Sequence, residues 1–181
     1  LVNESIQYFR AHGDPHFRRG LETMAGLYAE QGDHKNAIPI YETLLGIDPN
    51  YHKNPHYDIA IIESLRLKGE QGPAVQRLFT RLPNYLENSN WYEIHSSNPQ
   101  VVREAASRFE ETARKYALEF HAEGQKTKNE QLYNVAKSLY EKYLEHFPRT
   151  NHNAQIRFYL AEILYKQEKY LTSADHYFTV Y

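Results

Sequence analysis

Hydrophobic residues recur every three or four positions along most of the chain, the spacing that places them on one face of an α-helix. Between residues 21 and 51 this spacing predicts two helices. Gly32 and Asp33 separate them, because glycine commonly ends a helix and aspartate commonly caps the next one. Pro49 closes the segment, since proline cannot continue a helix. The pattern therefore predicts a helix pair joined by a short turn.

An Asp-Pro or Asn-Pro dipeptide marks three predicted helix starts, because these residues combine the preferred cap with the preferred first helical residue. We expect helices to begin near Pro15, Pro55 and Pro99. The second predicted helix pair, which begins near Pro55, is less regular, and Pro83 closes it early. Residues 84–98 then show no clear period, so we interpret them as an irregular joint or an insertion.

The C-terminal half returns to a regular helical period. Residues 102–120 carry one continuous apolar stripe, residues 124–129 form a polar turn, and residues 132–147 predict a second helix. A further unit begins near Ile156 and stops at Tyr181, before its closing proline is due. We therefore expect the last repeat to be truncated and the chain to be a cut length of a longer array.

Composition favours the same all-α class. Leu and Ala, which favour helices, are more numerous than Val and Ile, which favour sheets. The chain also has 16 Tyr, 8 Phe and 1 Trp. We expect several tyrosines to take packing positions between helices, namely Tyr28, Tyr41, Tyr140 and Tyr143.

The predicted pair within residues 21–51 carries large apolar residues, small residues and a closing proline at set spacings. Those residues are Leu21, Met24, Ala25, Tyr28, Gly32, Ala37, Tyr41 and Pro49. Their spacing resembles the tetratricopeptide repeat, a helix-turn-helix unit of about 34 residues. The resemblance implies an all-α, right-handed superhelical solenoid of about four antiparallel helix pairs. Residues 1–83 and 99–181 would hold the pairs, on either side of the joint at 84–98.

The C-terminal part has a second resemblance, carried by alanines and aromatic residues. They are Ala136, Tyr140, Tyr143, Phe147, Ala161, Tyr165, Tyr170 and Ala174. This part is similar to the repeats of bacterial outer-membrane assembly lipoproteins and of large periplasmic proteins of gliding and predatory bacteria. The resemblance implies a periplasmic or cell-envelope location, with the cytoplasm as the alternative.

The repeat family binds protein or peptide partners in a groove lined by the first helix of each pair. The resemblance implies groove positions at Arg19, Glu22, Tyr57, Ile61, Arg114, Leu118, His121, Phe158, Glu162 and Tyr165. For Tyr57 and Phe158 the alternative is packing against the next repeat. Glu22 and Gly26 stand where chaperone-binding members clamp a carboxylate, so we expect that clamp to be absent.

Trp91 and Tyr92 stand out within the polar joint. Because Trp and Tyr are enriched at binding hot spots, these two residues are candidate anchors for a partner. The alternative interpretation is that they fill the gap between repeat pairs.

Charge and motifs exclude several function classes. The chain has 21 Lys and Arg against 23 Asp and Glu, which argues against nucleic acid as the main partner. No apolar run approaches the length of a membrane span, so we expect no membrane insertion by this segment. No nucleophile turn or phosphate-binding loop is present, so we expect neither enzymatic activity nor a cofactor. Acidic pairs such as Glu110 with Glu111 lie in predicted helices near basic residues, and we interpret them as solvated helix faces.

Two histidine pairs have a spacing that can bind zinc on one helix face. These pairs are His12 with His16 and His52 with His56. Pro15 and Pro55 interrupt them, so each pair should straddle a helix start, and we expect caps and turns and no metal.

These observations predict a non-enzymatic scaffold that holds a protein or peptide partner in the groove, within a larger repeat protein of a bacterial envelope or motility complex. A second hypothesis is a structural envelope component that assembles end to end and leaves the groove unused. Self-association would then use the truncated C-terminal repeat. A helical metalloprotein or enzyme using the histidines is a third.

Overall fold

The computed structural model describes residues 17–179 together with Glu4 and Gln7. Within these residues the fold contains nine α-helices, one 3₁₀ helix at Leu82–Tyr85 and no strand. The helices are α1 (Phe17–Glu30), α2 (His34–Ile47), α3 (Asn54–Leu67), α4 (Gln71–Arg81), α5 (Asn90–His95), α6 (Pro99–Thr127), α7 (Glu130–His146), α8 (Asn153–Lys166) and α9 (Tyr170–Phe178). The predicted all-α class is confirmed, whereas the superhelical solenoid stays a prediction.

The chain divides into two compact units, Leu1–Phe109 and Glu110–Tyr181. The division falls inside α6 and not at the joint predicted from the sequence. The joint itself holds the end of the 3₁₀ helix and the short helix α5. The predicted repeat boundaries at residues 83 and 98 stay predictions.

In the first unit each of the helices α1 to α4 packs against the next one along the chain. Small residues permit the close approach of α1 and α2, since Ala25 and Ala37 are both completely buried. Leu21, Ile40 and Leu44 fill the space around them. The apolar stripe predicted on this helix pair is therefore its buried face.

The turn between α1 and α2 follows the sequence prediction. Gly32 has φ of 77°, a left-handed conformation that glycine adopts without steric cost. The side chain of Asp33 accepts a hydrogen bond from the backbone N–H of Asn36, at the start of α2. The predicted break and cap are confirmed.

The predicted helix starts are close to the observed ones. Helix α6 begins at Pro99, and Pro55 lies in the first turn of α3. Asn54, however, is not the cap of α3. It is the first helical residue, and its Nδ2 donates to the carbonyl oxygen of Asp48 at 2.8 Å. The start predicted at Pro15 lies outside the described residues.

A completely buried carboxylate, Asp58, joins the elements of the first unit. It accepts hydrogen bonds from Nε of Arg77 at 2.9 Å, from Nε of Arg81 at 2.8 Å and from the hydroxyl of Tyr85. Arg77 also donates to Glu42 on α2. We call these five residues the Asp58 cluster. The hydrogen bonds of this cluster offset the several kcal/mol that it costs to remove the Asp58 carboxylate from water. The cluster also connects α2, α3, α4 and the 3₁₀ helix.

In the second unit, α7 packs on α8 and α8 packs on α9. Gly124 lets the end of α6 approach α7, because a Cβ atom there would lie 3.3 Å from the backbone nitrogen of Tyr133. Tyr140 and Tyr143 are completely buried, as their predicted packing role requires. Tyr28 and Tyr41 are half-buried.

Among the helices of residues 17–179, none combines the length and the apolar character that crossing a bilayer requires.

Removing the buried carboxylate should destabilise the first unit. In Asp58→Ala the two arginines lose their shared partner, although Arg77 keeps Glu42 and Arg81 reaches water. We expect the free energy of unfolding to fall by about 3 kcal/mol. Urea unfolding followed by the fluorescence of Trp91, the single tryptophan, measures this change.

The matched control is Glu70→Ala, which removes a surface ion pair with Lys68 in the same unit. It should cost less than about 1 kcal/mol. Equal losses in the two variants would contradict a structural role for the Asp58 cluster.

Candidate functional site

The groove candidates of the first unit have very different exposures. Arg19 is exposed on α1 and Glu22 is half-buried. Tyr57 is 4% exposed and Ile61 is 1% exposed, so both lie in the core. The surroundings of Tyr57 therefore agree with the alternative that it packs in the core. Of the four groove candidates in this unit, Arg19 and Glu22 are accessible to a partner.

Glu22 and Tyr57 contact each other. The Tyr57 hydroxyl donates to Glu22, which also pairs with Nζ of Lys53 at 3.2 Å. Burial is the main reason why the pKa of Tyr57 is raised, and the hydrogen bond to the Glu22 carboxylate raises it further. The phenol therefore stays neutral, and its hydroxyl holds α3 against α1.

Trp91 lies in the core and not on the surface. It is 3% exposed, and its ring meets that of Tyr85 edge-on with the centroids 5.3 Å apart. Its Nε1 donates to the carbonyl oxygen of Tyr51 at 3.0 Å. Tyr92 is half-buried on α5. The surroundings of Trp91 match the gap-filling interpretation, and a partner-anchoring role for Tyr92 stays a prediction.

The first C-terminal candidates lie on α6. Arg114 and Leu118 are half-buried. Nε of Arg114 donates to Glu110 at 2.9 Å, and the hydroxyl of Tyr143 donates to the same carboxylate. The sequence interpretation placed Glu110 on a solvated face, which is wrong because Glu110 is buried. Arg114 therefore has an internal ion-pair role.

His121 is enclosed by a cluster of tyrosines. It is buried, and its ring centroid lies 5.8 Å from those of Tyr133 and Tyr140 and 5.7 Å from that of Tyr159. Gln125 Nε2 lies 3.2 Å from ring Nε2, so Nε2 accepts and Nδ1 donates to the Tyr140 hydroxyl at 3.1 Å. The neutral ring satisfies both contacts.

The last three groove candidates are the ones that reach solvent. Phe158, Glu162 and Tyr165 follow the i, i+4, i+7 spacing of one helix face on α8. Phe158 is 43% exposed and Tyr165 is 61% exposed. Glu162 is exposed between them. The structure therefore brings these three predicted residues together on one surface.

Two tyrosines of α9 extend this surface, and sequence reasoning did not select them. The Tyr177 ring centroid lies 5.7 Å from that of Phe158, and the Tyr177 hydroxyl donates to Glu162 at 3.0 Å. Tyr170 meets Tyr165 with the centroids 5.2 Å apart. We call these five residues the α8–α9 aromatic surface. Tyr170 and Tyr177 are seven residues apart, about two helical turns, and this spacing was the available signal.

Of the two histidine pairs, His52 and His56 lie in the part of the chain that the structure describes. There, no group of three or more His, Cys, Asp and Glu residues could hold a metal ion. His56 instead pairs with Glu104 through Nε2 at 3.1 Å. His12 and His16 lie outside the described residues.

No known protein family matches the sequence, and no curated protein matches it either. The geometry of the described side chains is therefore the basis for a functional proposal. It offers one exposed aromatic surface built from predicted groove residues.

Acidification should destabilise the second unit through His121. Burial lowers the pKa of His121 below its ordinary value of 6.5, with Lys166 adding to the effect and Glu162 opposing it. The unfolded chain then takes up a proton at a higher pH than the folded unit. The stability that the neutral ring provides is therefore present above about pH 6.5 and is lost as the pH falls through the lower, folded pKa.

Urea unfolding followed by circular dichroism at about pH 8 and about pH 5 checks this dependence. In His121→Gln the loss of stability on acidification should be smaller than in the parent protein. An unchanged loss, or an imidazole NMR titration that places the pKa of His121 above the ordinary value, would contradict the prediction.

Proposed function

We propose that this chain is a tetratricopeptide-like scaffold that binds a protein or peptide partner through the α8–α9 aromatic surface. The observation that carries the proposal is the exposure of Phe158 and Tyr165 on the same face of α8 as Glu162. Large exposed apolar side chains grouped with polar ones are typical of interaction surfaces. The other predicted groove residues are mostly buried or paired within their own unit.

The surface suits a partner with apolar side chains and a hydrogen-bond donor or a positive charge. Phe158, Tyr165, Tyr170 and Tyr177 provide rigid rings that bury large areas at low entropic cost. Glu162 offers carboxylate oxygens at the centre of this surface, and one of them already accepts from Tyr177. A donor from the partner would meet an acceptor that is fixed in place.

The repeat assignment is supported by local features of the first unit. Helices α1 and α2 have 14 residues each, with Gly32 and Asp33 between them and buried alanines at their contact. These features agree with a unit of about 34 residues. A bacterial envelope or motility complex, implied by the C-terminal resemblance, is part of the same proposal.

A second candidate function is end-to-end assembly. Leu171 is 86% exposed and Phe178 is 80% exposed on α9. Such side chains would suit contact with another copy of the chain as well as with a different protein. Sedimentation equilibrium separates the two functions, because only assembly makes the apparent mass rise with protein concentration.

Replacing two rings of the aromatic surface should weaken partner binding. Peptides selected against the parent protein from a random library provide the ligand, and calorimetric titration gives its affinity. For Phe158→Ala combined with Tyr165→Ala we expect at least about a tenfold loss, equivalent to about 1.4 kcal/mol. Both side chains are exposed, so the variant should keep its fold.

The matched control is Ile94→Ala, which removes a side chain of similar exposure (49%) on α5. It should leave the affinity unchanged. Equal affinity of the double variant and the parent protein would rule out this surface as the binding site.

A further inference from the structure

A cleft of about 670 Å³ lies in the first unit, whereas the α8–α9 aromatic surface belongs to the second unit. One wall comes from α2 and the loop that follows it, and the other comes from the 3₁₀ helix and the start of α5. The predicted joint at residues 84–98 thus forms much of one wall. The volume falls in the range of small-molecule sites, which is about 300 to 1,000 Å³.

Four asparagines line this cleft: Asn50, Asn54, Asn84 and Asn90. Asn54 is 1% exposed, and its Nδ2 donates a hydrogen bond to the carbonyl oxygen of Asp48. Its Oδ1 is buried and has no hydrogen-bond partner among the described residues. A buried acceptor left without a donor costs about 1 to 3 kcal/mol. An occupant of the cleft that donates a hydrogen bond would remove this cost.

The charged groups of the cleft are already compensated. Glu42 pairs with Arg77, and Arg81 pairs with Asp58. Two carboxylates and two guanidinium groups balance, so the walls favour neither an anion nor a cation. Leu45, Pro49 and Pro83 add apolar patches between the polar side chains.

We infer that this cleft binds a neutral saccharide of one or two rings. Each sugar hydroxyl both donates and accepts, as an asparagine amide does. Asn90 Nδ2 already donates to Asn50 Oδ1 at 2.9 Å, so this pair would meet a ligand with the Oδ1 of Asn90 and the Nδ2 of Asn50. A sugar hydroxyl can donate to Asn54, while the C–H faces of the ring pack on the prolines. No charge on the ligand is required.

A peptide is the main competing ligand, because its backbone also donates and accepts. Peptides bound through their backbone commonly add a strand to an exposed sheet edge. The described part of the chain contains no strand. Pro49 and Pro83 also remove two backbone N–H donors from the walls. These features favour the saccharide.

The test uses ¹⁵N-labelled protein titrated with maltose, cellobiose, lactose and chitobiose, each to about 10 mM. At least one disaccharide should shift resonances of the four cleft asparagines. Asn84→Ala combined with Asn90→Ala should weaken that binding by at least about tenfold. Both side chains are exposed, and Trp91 fluorescence during thermal unfolding confirms that the variant is folded.

The control is Asn151→Ala, an exposed asparagine of the second unit that should leave the affinity unchanged. The inference is overturned if none of the four disaccharides shifts the cleft resonances, or if the shifts lie elsewhere. Cleft shifts with tetraglycine and not with the sugars would overturn the ligand class and favour a peptide site.

Discussion

A carboxylate with no contact with water organises the first unit. Asp58 must be surrounded by donors, and the donors come from two arginines one turn apart on α4 and from Tyr85. Tyr85 in turn meets Trp91, whose indole nitrogen holds the loop between α2 and α3 at Tyr51. One buried charge thereby determines where the walls of the saccharide cleft stand.

The large number of tyrosines has a related physical reason. Tyr57, Tyr85 and Tyr143 each donate to a carboxylate, while Tyr140 accepts from a histidine. A phenylalanine would fill the same space but would leave the carboxylate or the imidazole without that hydrogen bond. Tyrosine thus lets this helical protein place ionisable groups inside its core. Tyr165 on α8 and Tyr170 on α9 are different, because their rings are largely exposed to solvent.

The spacing of apolar and turn residues predicted most helices. It did not predict which polar side chains are buried. Periodicity and turn residues located Gly32, Asp33 and Pro99, because these depend on near neighbours in the chain. Glu110 was assigned to solvent, since a periodic pattern treats a charge as exposed unless its partner is known. Its partner, Tyr143, comes 33 residues later. Tyr57 was similarly predicted to line a groove. The burial of its side chain depends on the rotation of α3 against neighbouring helices, which a local pattern does not contain.

The arginines of the Asp58 cluster also constrain how this protein can change during evolution. Loss of the carboxylate alone would leave Arg81 without its carboxylate partner and Arg77 with Glu42 alone, and loss of one arginine would leave Asp58 short of donors. Such contacting residues do not contribute additively to stability. Positions 58, 77 and 81 should therefore vary together among descendants of this sequence, so that neutral drift at any one of them depends on the state of the other two.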